Sequence, residues 1–313
     1  MTAVLIVAPV FALIAAGYAA VALRLVSESA HKGISEFAFG IAIPALLFRT
    51  VVVTDFPAVS AFAIWGAYYG AVALTWIASL IVSAMRRQDR ADGVVFAIGS
   101  VYGNIVMLGI PLTLSALGNQ AAGPIALIVS VNTPLLWLLG TLQMAASERQ
   151  PSGSAASRIL PMLLDLVRNP IMLAIGLGFL WRLTGLGLHP VVDRTVELLA
   201  QAGPPTALIA LGINLYRFEV KGHVLGVALM CALKLLAMPA FAWALAVHLL
   251  ALPPAAAGVI ILFAAMPTGA NAYIFAVQYK RLENPVSGAV ALGSVLAAAS
   301  LPLIVAWLTM AAG

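Results

Sequence analysis

Charge is what this sequence lacks. Of its 313 residues only 9% are charged, while 63% are hydrophobic and the mean hydropathy is +1.07. A soluble domain carries about 25% charge, so the composition implies an all-α integral membrane protein. The excess of Lys and Arg (pI about 9.6) would suggest nucleic acid in a soluble protein. Here it reads as loop charge that sets topology, and no nucleic-acid partner is expected. One cysteine, Cys231, lies in an apolar stretch; it excludes an intrachain disulfide and says nothing of compartment. No HExxH, CxxC, GxSxG or Walker pattern occurs, so catalytic residues, a metal site and a bound cofactor are not expected. The four histidines are scattered. All eleven acidic residues fall at span ends or in loops. Exchangers that bind a cation or proton usually hold Asp or Glu at mid-depth, which disfavours a paired-aspartate antiporter.

Apolar runs of about 20 residues, enough to cross a bilayer, number ten: 3–24, 33–53, 58–85, 92–117, 121–145, 165–184, 193–214, 222–250, 255–279 and 286–311. Glu36, Arg49, Asp165 and Arg168 crowd the ends of the second and sixth, so eight or nine spans also fit. With the N-terminus outside, twelve basic residues fall in cytoplasmic loops and only Arg49, Arg182 and Arg194 in outer ones. The positive-inside rule then puts both termini on the extracytoplasmic face of the cell (inner) membrane, which favours an even count. The first run has no basic residue before Val4 and no cleavage signal, and reads as a retained span.

A polar stretch, 147–161, separates a first set of five spans (1–146) from a second (162–313) and reads as a cytoplasmic linker. Five is odd, so the halves enter the membrane in opposite senses, as inverted repeats do. Pro44 answers Pro205, Asn104 answers Asn271, and Pro134 answers Pro302, in the same order in each half.

Two of these spans carry the same interruption. The fourth contains Gly103-Asn104, Gly109 and Pro111; the ninth contains Pro267-Thr268-Gly269-Ala270-Asn271. A helix broken in hydrocarbon frees backbone groups that each cost several kcal/mol if left unpaired. Two breaks at corresponding places in two halves point to a transporter's binding site. If the broken spans cross, two half-helix N-termini meet, each equivalent to about +0.5 charge, and can hold an anion. Asn104 and Asn271 could bind it or merely cap the freed backbone. Lys234, in the eighth span, is a lone deep charge. It is either a counter-charge for an anion or a structural lysine that snorkels or donates to broken-helix carbonyls. Asn132 and Tyr273 are weaker candidates for the cavity lining.

At these residues the chain resembles the auxin efflux carrier family, in particular its bacterial malonate- and malate-type members. The resemblance rests on Asn104-x4-Gly109-Ile110-Pro111, Ala265-Met266-Pro267 through Asn271 and Ala276, Ile43-Pro44-Ala45-Leu46-Leu47-Phe48, Asn169-Pro170, and Lys234 before Pro239. It implies ten transmembrane helices in two inverted five-helix repeats, with broken helices 4 and 9 crossed. Spans 1, 2, 6 and 7 would form a scaffold for an elevator-like step, within a homodimer. The central loop is short, unlike the long insert of the plant auxin exporters. The implied function is secondary transport of a small organic anion, with sodium or protons as coupling ions. A bile-acid-type sodium symporter and a non-transporting membrane receptor are the alternatives.

Overall fold

The computed structural model describes residues 3–27, 30–53, 59–147, 170–216, 218 and 224–311. Among them the chain is helical, and the sole β feature is one isolated bridge. The helices are α1 (Ala3–Ala22), α2 (Lys32–Val53), α3 (Ala61–Met85), α4 (Arg90–Val101), α5 (Ile105–Leu117) and α6 (Asn119–Ser147). After the linker come α7 (Pro170–Leu183), α8 (Pro190–Leu215), α9 (Val224–Leu249), α10 (Pro254–Ala264), α11 (Ala270–Tyr279) and α12 (Glu283–Ala311). Seven of them, α1, α2, α3, α6, α8, α9 and α12, are long and apolar enough to cross a membrane. The expected fourth span is the pair α4 and α5, and the expected ninth is the pair α10 and α11. Of the expected linker 147–161, Ser147 ends α6, and residues 148–161, the start of the expected sixth span and Asn169 lie outside the described residues.

Proline shapes three helices in one way. A wide π-turn occupies Ala38–Ala42 in α2, Ile105–Gly109 in α5 and Leu233–Ala237 in α9. In each case a proline (Pro44, Pro111 or Pro239) stands two residues beyond it. A proline ring offers no N–H and crowds the carbonyl four residues back. Widening the preceding turn relieves that contact while keeping the other backbone groups paired.

The helices pack in two groups. In the first, α1, α2, α7 and α8 approach closely through small residues. A Cβ on Gly17 would meet the Ile209 carbonyl, and one on Gly212 the Ile14 carbonyl. A Cβ on Gly203 would lie 3.2 Å from the Ala42 carbonyl, and one on Gly178 2.9 Å from Val51. Helices pressed backbone to backbone gain dispersion contacts where no water is available to drive association. Arg49 clamps the end of α2 to α8, with Nε 2.7 Å and Nη2 3.1 Å from the Asp193 carboxylate. Its Nη2 also lies 3.7 Å from Glu197.

In the second group α3 packs on α4, α6 and α9. Trp65 Nε1 donates to the Leu127 carbonyl (2.8 Å), and the Tyr69 hydroxyl to that of Ile128 (3.0 Å). The groups meet where α1 touches α12 and where α5 lies against α1 and α8. Overfilling a tight contact costs about 1–3 kcal/mol. Gly212→Ala should therefore lower the thermal unfolding temperature of detergent-purified protein; an unchanged value would contradict the backbone-to-backbone seam.

Candidate functional site at the crossing of two broken helices

The connectors 102–104 and 265–269 run antiparallel past each other. Gly103 and Thr268 form the isolated bridge. The Asn104 N–H donates to the Pro267 carbonyl at 2.7 Å, and the Gly269 N–H to the Tyr102 carbonyl at 2.8 Å. Each break thus supplies the backbone partner that the other lacks. Glycine is required for this approach. A Cβ on Gly269 would lie 3.1 Å from the Gly103 carbonyl oxygen and 3.2 Å from Asn104 N and Cα. On Gly109 it would come within 3.3 Å of Phe263 and Met266, so this glycine lets α5 press against the end of α10.

Four half-helix ends converge here, and they are treated unequally. The two C-terminal ends are capped. Thr268 Oγ1 donates to the Gly99 carbonyl of α4 at 2.8 Å. Lys234 Nζ donates to the Ala264 carbonyl, the last of α10, and lies 3.2 Å from Met238 Sδ. A cationic side chain is favoured at that negative end of a helix dipole. The two N-terminal ends carry no side-chain cap: neither Asn104, which opens α5, nor Gly269, which opens α11, supplies one. Their first N–H groups lack intrahelical acceptors. Pro111 offsets part of that excess, since the carbonyl that would pair with residue 111 has no backbone donor there. The crossing therefore keeps its donors and covers much of its acceptor side.

Asn271 Nδ2 donates to the Tyr102 hydroxyl at 3.1 Å, and that hydroxyl donates to Thr133 Oγ1 of α6 at 2.8 Å. Far from the crossing, at the other end of α4 and α11, Arg281 Nη1 pairs with Asp89 (2.8 Å) and Asp92 (2.9 Å). The Asp92 backbone N–H, with help from Arg281, holds the Asp89 carboxyl below the usual carboxylate range.

Of the residues singled out from the sequence, Asn104, Gly109, Pro111, Pro267, Gly269, Asn271 and Lys234 come together at the crossing. Asn104 is buried, at 6% exposure, and Lys234 is fully buried with no acidic partner among the described residues. Asn132 is buried on α6 with its Oδ1 unpartnered among the described residues, and no hydrogen bond ties it to the crossing. Tyr273 turns its ring edge-on to Phe218, 5.3 Å away. Three participants were not anticipated: Tyr102, Thr133 and Thr268. Two of them stand inside or beside the interruptions, where a polar side chain next to freed backbone was the available signal.

A family described as "Membrane transport protein" matches residues 2–305. The chain belongs to that family, the auxin efflux carriers. The carrier is therefore a multi-pass membrane transporter and not an enzyme. It is similar to a candidate malonate transporter of Rhizobium meliloti (strain 1021). The two are 27% identical over 310 residues, which cover 95% of this chain and 92% of that protein.

Within the carrier, Lys234 is the group whose removal should be felt most in stability. Lys234→Met leaves the Ala264 carbonyl unpaired in an apolar interior, at a cost of about 1–3 kcal/mol. Thermal unfolding in detergent should show a clear drop. An undiminished unfolding temperature would mean that the capping bond contributes nothing.

Proposed function

We propose that this carrier moves a small carboxylate anion, of the malonate or malate kind, which binds at the crossing of the broken helices. The observation that carries the reading is the asymmetry of the four helix ends: N-terminal donors without caps, C-terminal acceptors with them. Two uncapped N-termini, each equivalent to about +0.5 charge, attract one carboxylate group. Asn104 immediately precedes α5 and Asn271 is the second residue of α11, and both can add amide N–H donors. The similarity to a candidate malonate transporter agrees with that choice of anion.

The topology we infer is ten spans in two inverted five-helix repeats, with α4–α5 and α10–α11 as corresponding broken spans. The matching places of Asn104 and Asn271 support it. So does the gathering of Arg49, Asp193, Glu197 and Arg194 at one end, with Arg281 and Asp89 at the opposite end of the broken spans. By the positive-inside rule the Arg49 end faces outward in the cell membrane. The group α1, α2, α7 and α8 serves as scaffold, within a homodimer. The crossing helices with α3, α6, α9 and α12 move past it as an elevator, driven by sodium or protons.

Uptake of labelled malonate into proteoliposomes tests the reading. The native carrier should accumulate it, and Asn104→Ala and Asn271→Ala should each abolish uptake at near-normal protein yield. Native rates in both variants would put the site elsewhere. Binding without flux would support a receptor instead.

A further inference from the structure

The Tyr102 hydroxyl is buried deep in a helical bundle, yet it has a hydrogen-bond partner on each side. Its proton goes to Thr133 Oγ1 on α6, so its lone pairs face Asn271 and the neighbouring Trp137 indole. An amide that meets a lone pair must present its NH2 edge, and Asn271 does so through Nδ2. Among the described residues this is the only hydrogen bond that Asn271's side chain makes, and the residue is part-buried. The orientation of the amide is thus set by a tyrosine of the facing connector and a threonine on α6.

From this geometry we infer that Tyr102 is a substrate-positioning residue: with Thr133 it fixes the Asn271 amide in the orientation that leaves its second N–H for the ligand. The inference rests on the carboxylate reading above. Three features favour it over simple packing. Tyr102 belongs to the connector itself, its carbonyl accepting from the Gly269 N–H two residues before Asn271. The chain from Thr133 through Tyr102 to Asn271 joins side chains 31 and 169 residues apart in sequence. The crossing is already pinned by backbone hydrogen bonds, so the hydroxyl is not needed to hold the two connectors together.

Removing the hydroxyl should free the amide to rotate and weaken ligand binding without disturbing the transport step. In proteoliposomes, Tyr102→Phe should raise the KM for malonate about tenfold, the loss expected for a hydrogen bond to a charged group. The maximal rate should stay within about twofold, since uniform binding is lost rather than transition-state stabilisation. Thr133→Val should raise KM in the same direction, and Thr133→Ser, which keeps the acceptor, should restore the native value. This threonine pair decides the matter if Tyr102→Phe is poorly folded. An unchanged KM in Tyr102→Phe, or equal KM values for Thr133→Val and Thr133→Ser, would overturn the inference while leaving a transporting native carrier intact. A native carrier that neither binds nor moves malonate would instead overturn the carboxylate reading, and this inference with it.

Discussion

The structure depends on one exchange of hydrogen bonds, Asn104 N–H to the Pro267 carbonyl and Gly269 N–H to the Tyr102 carbonyl. Inside a bilayer a broken helix has no water to satisfy its ends, and one break alone would be costly. Two breaks laid antiparallel answer each other. The requirement reaches outward from there. Gly269 must lack a side chain, Gly109 must admit Phe263 and Met266, and the C-terminal carbonyls need Thr268 and Lys234. The close seams of α1, α2, α7 and α8 also require glycine, at Gly17 and Gly212, but have no broken backbone to pair.

The same exchange gives the crossing its polarity. Backbone pairing consumes one donor and one acceptor from each connector, which leaves charge balance unchanged. Side chains then cover the acceptor ends and leave the donor ends open. On the carboxylate reading Lys234 would contribute through the helix ends, because a lysine that covers the negative end of α10 leaves the positive ends of α5 and α11 less opposed. A single deep lysine would in this way serve both packing and binding, and its lack of an acidic partner among the described residues fits such a role.

Much of this was legible in the sequence because bilayer length and backbone satisfaction are severe constraints. The helix limits fall within a few residues of the apolar runs, and Asn-Gly-Pro clusters marked both breaks. Proline alone was less informative. Pro44, Pro111 and Pro239 follow the same kind of π-turn, yet only the Pro111 helix starts beside a break. What separates them is Gly103-Asn104 upstream, together with a second broken span to pair with. The partners of Lys234 and Tyr102 were illegible, since Ala264 and Thr133 lie 30 and 31 residues away and nothing local announces either contact. Asn132 shows the limit of the same signal: a polar residue in an apolar span is easily seen, but its partners are not, and among the described residues its Oδ1 has none.

Amide hydrogen exchange on the reconstituted carrier, with and without malonate, tests the central claim most directly. The amides of Asn104 and Gly269 should be protected in both conditions, because the connectors bond each other. Added malonate should slow exchange at 105–107 and 270–271, the open N-terminal ends. Free exchange at Asn104 and Gly269, or malonate protection confined to other segments, would contradict the account.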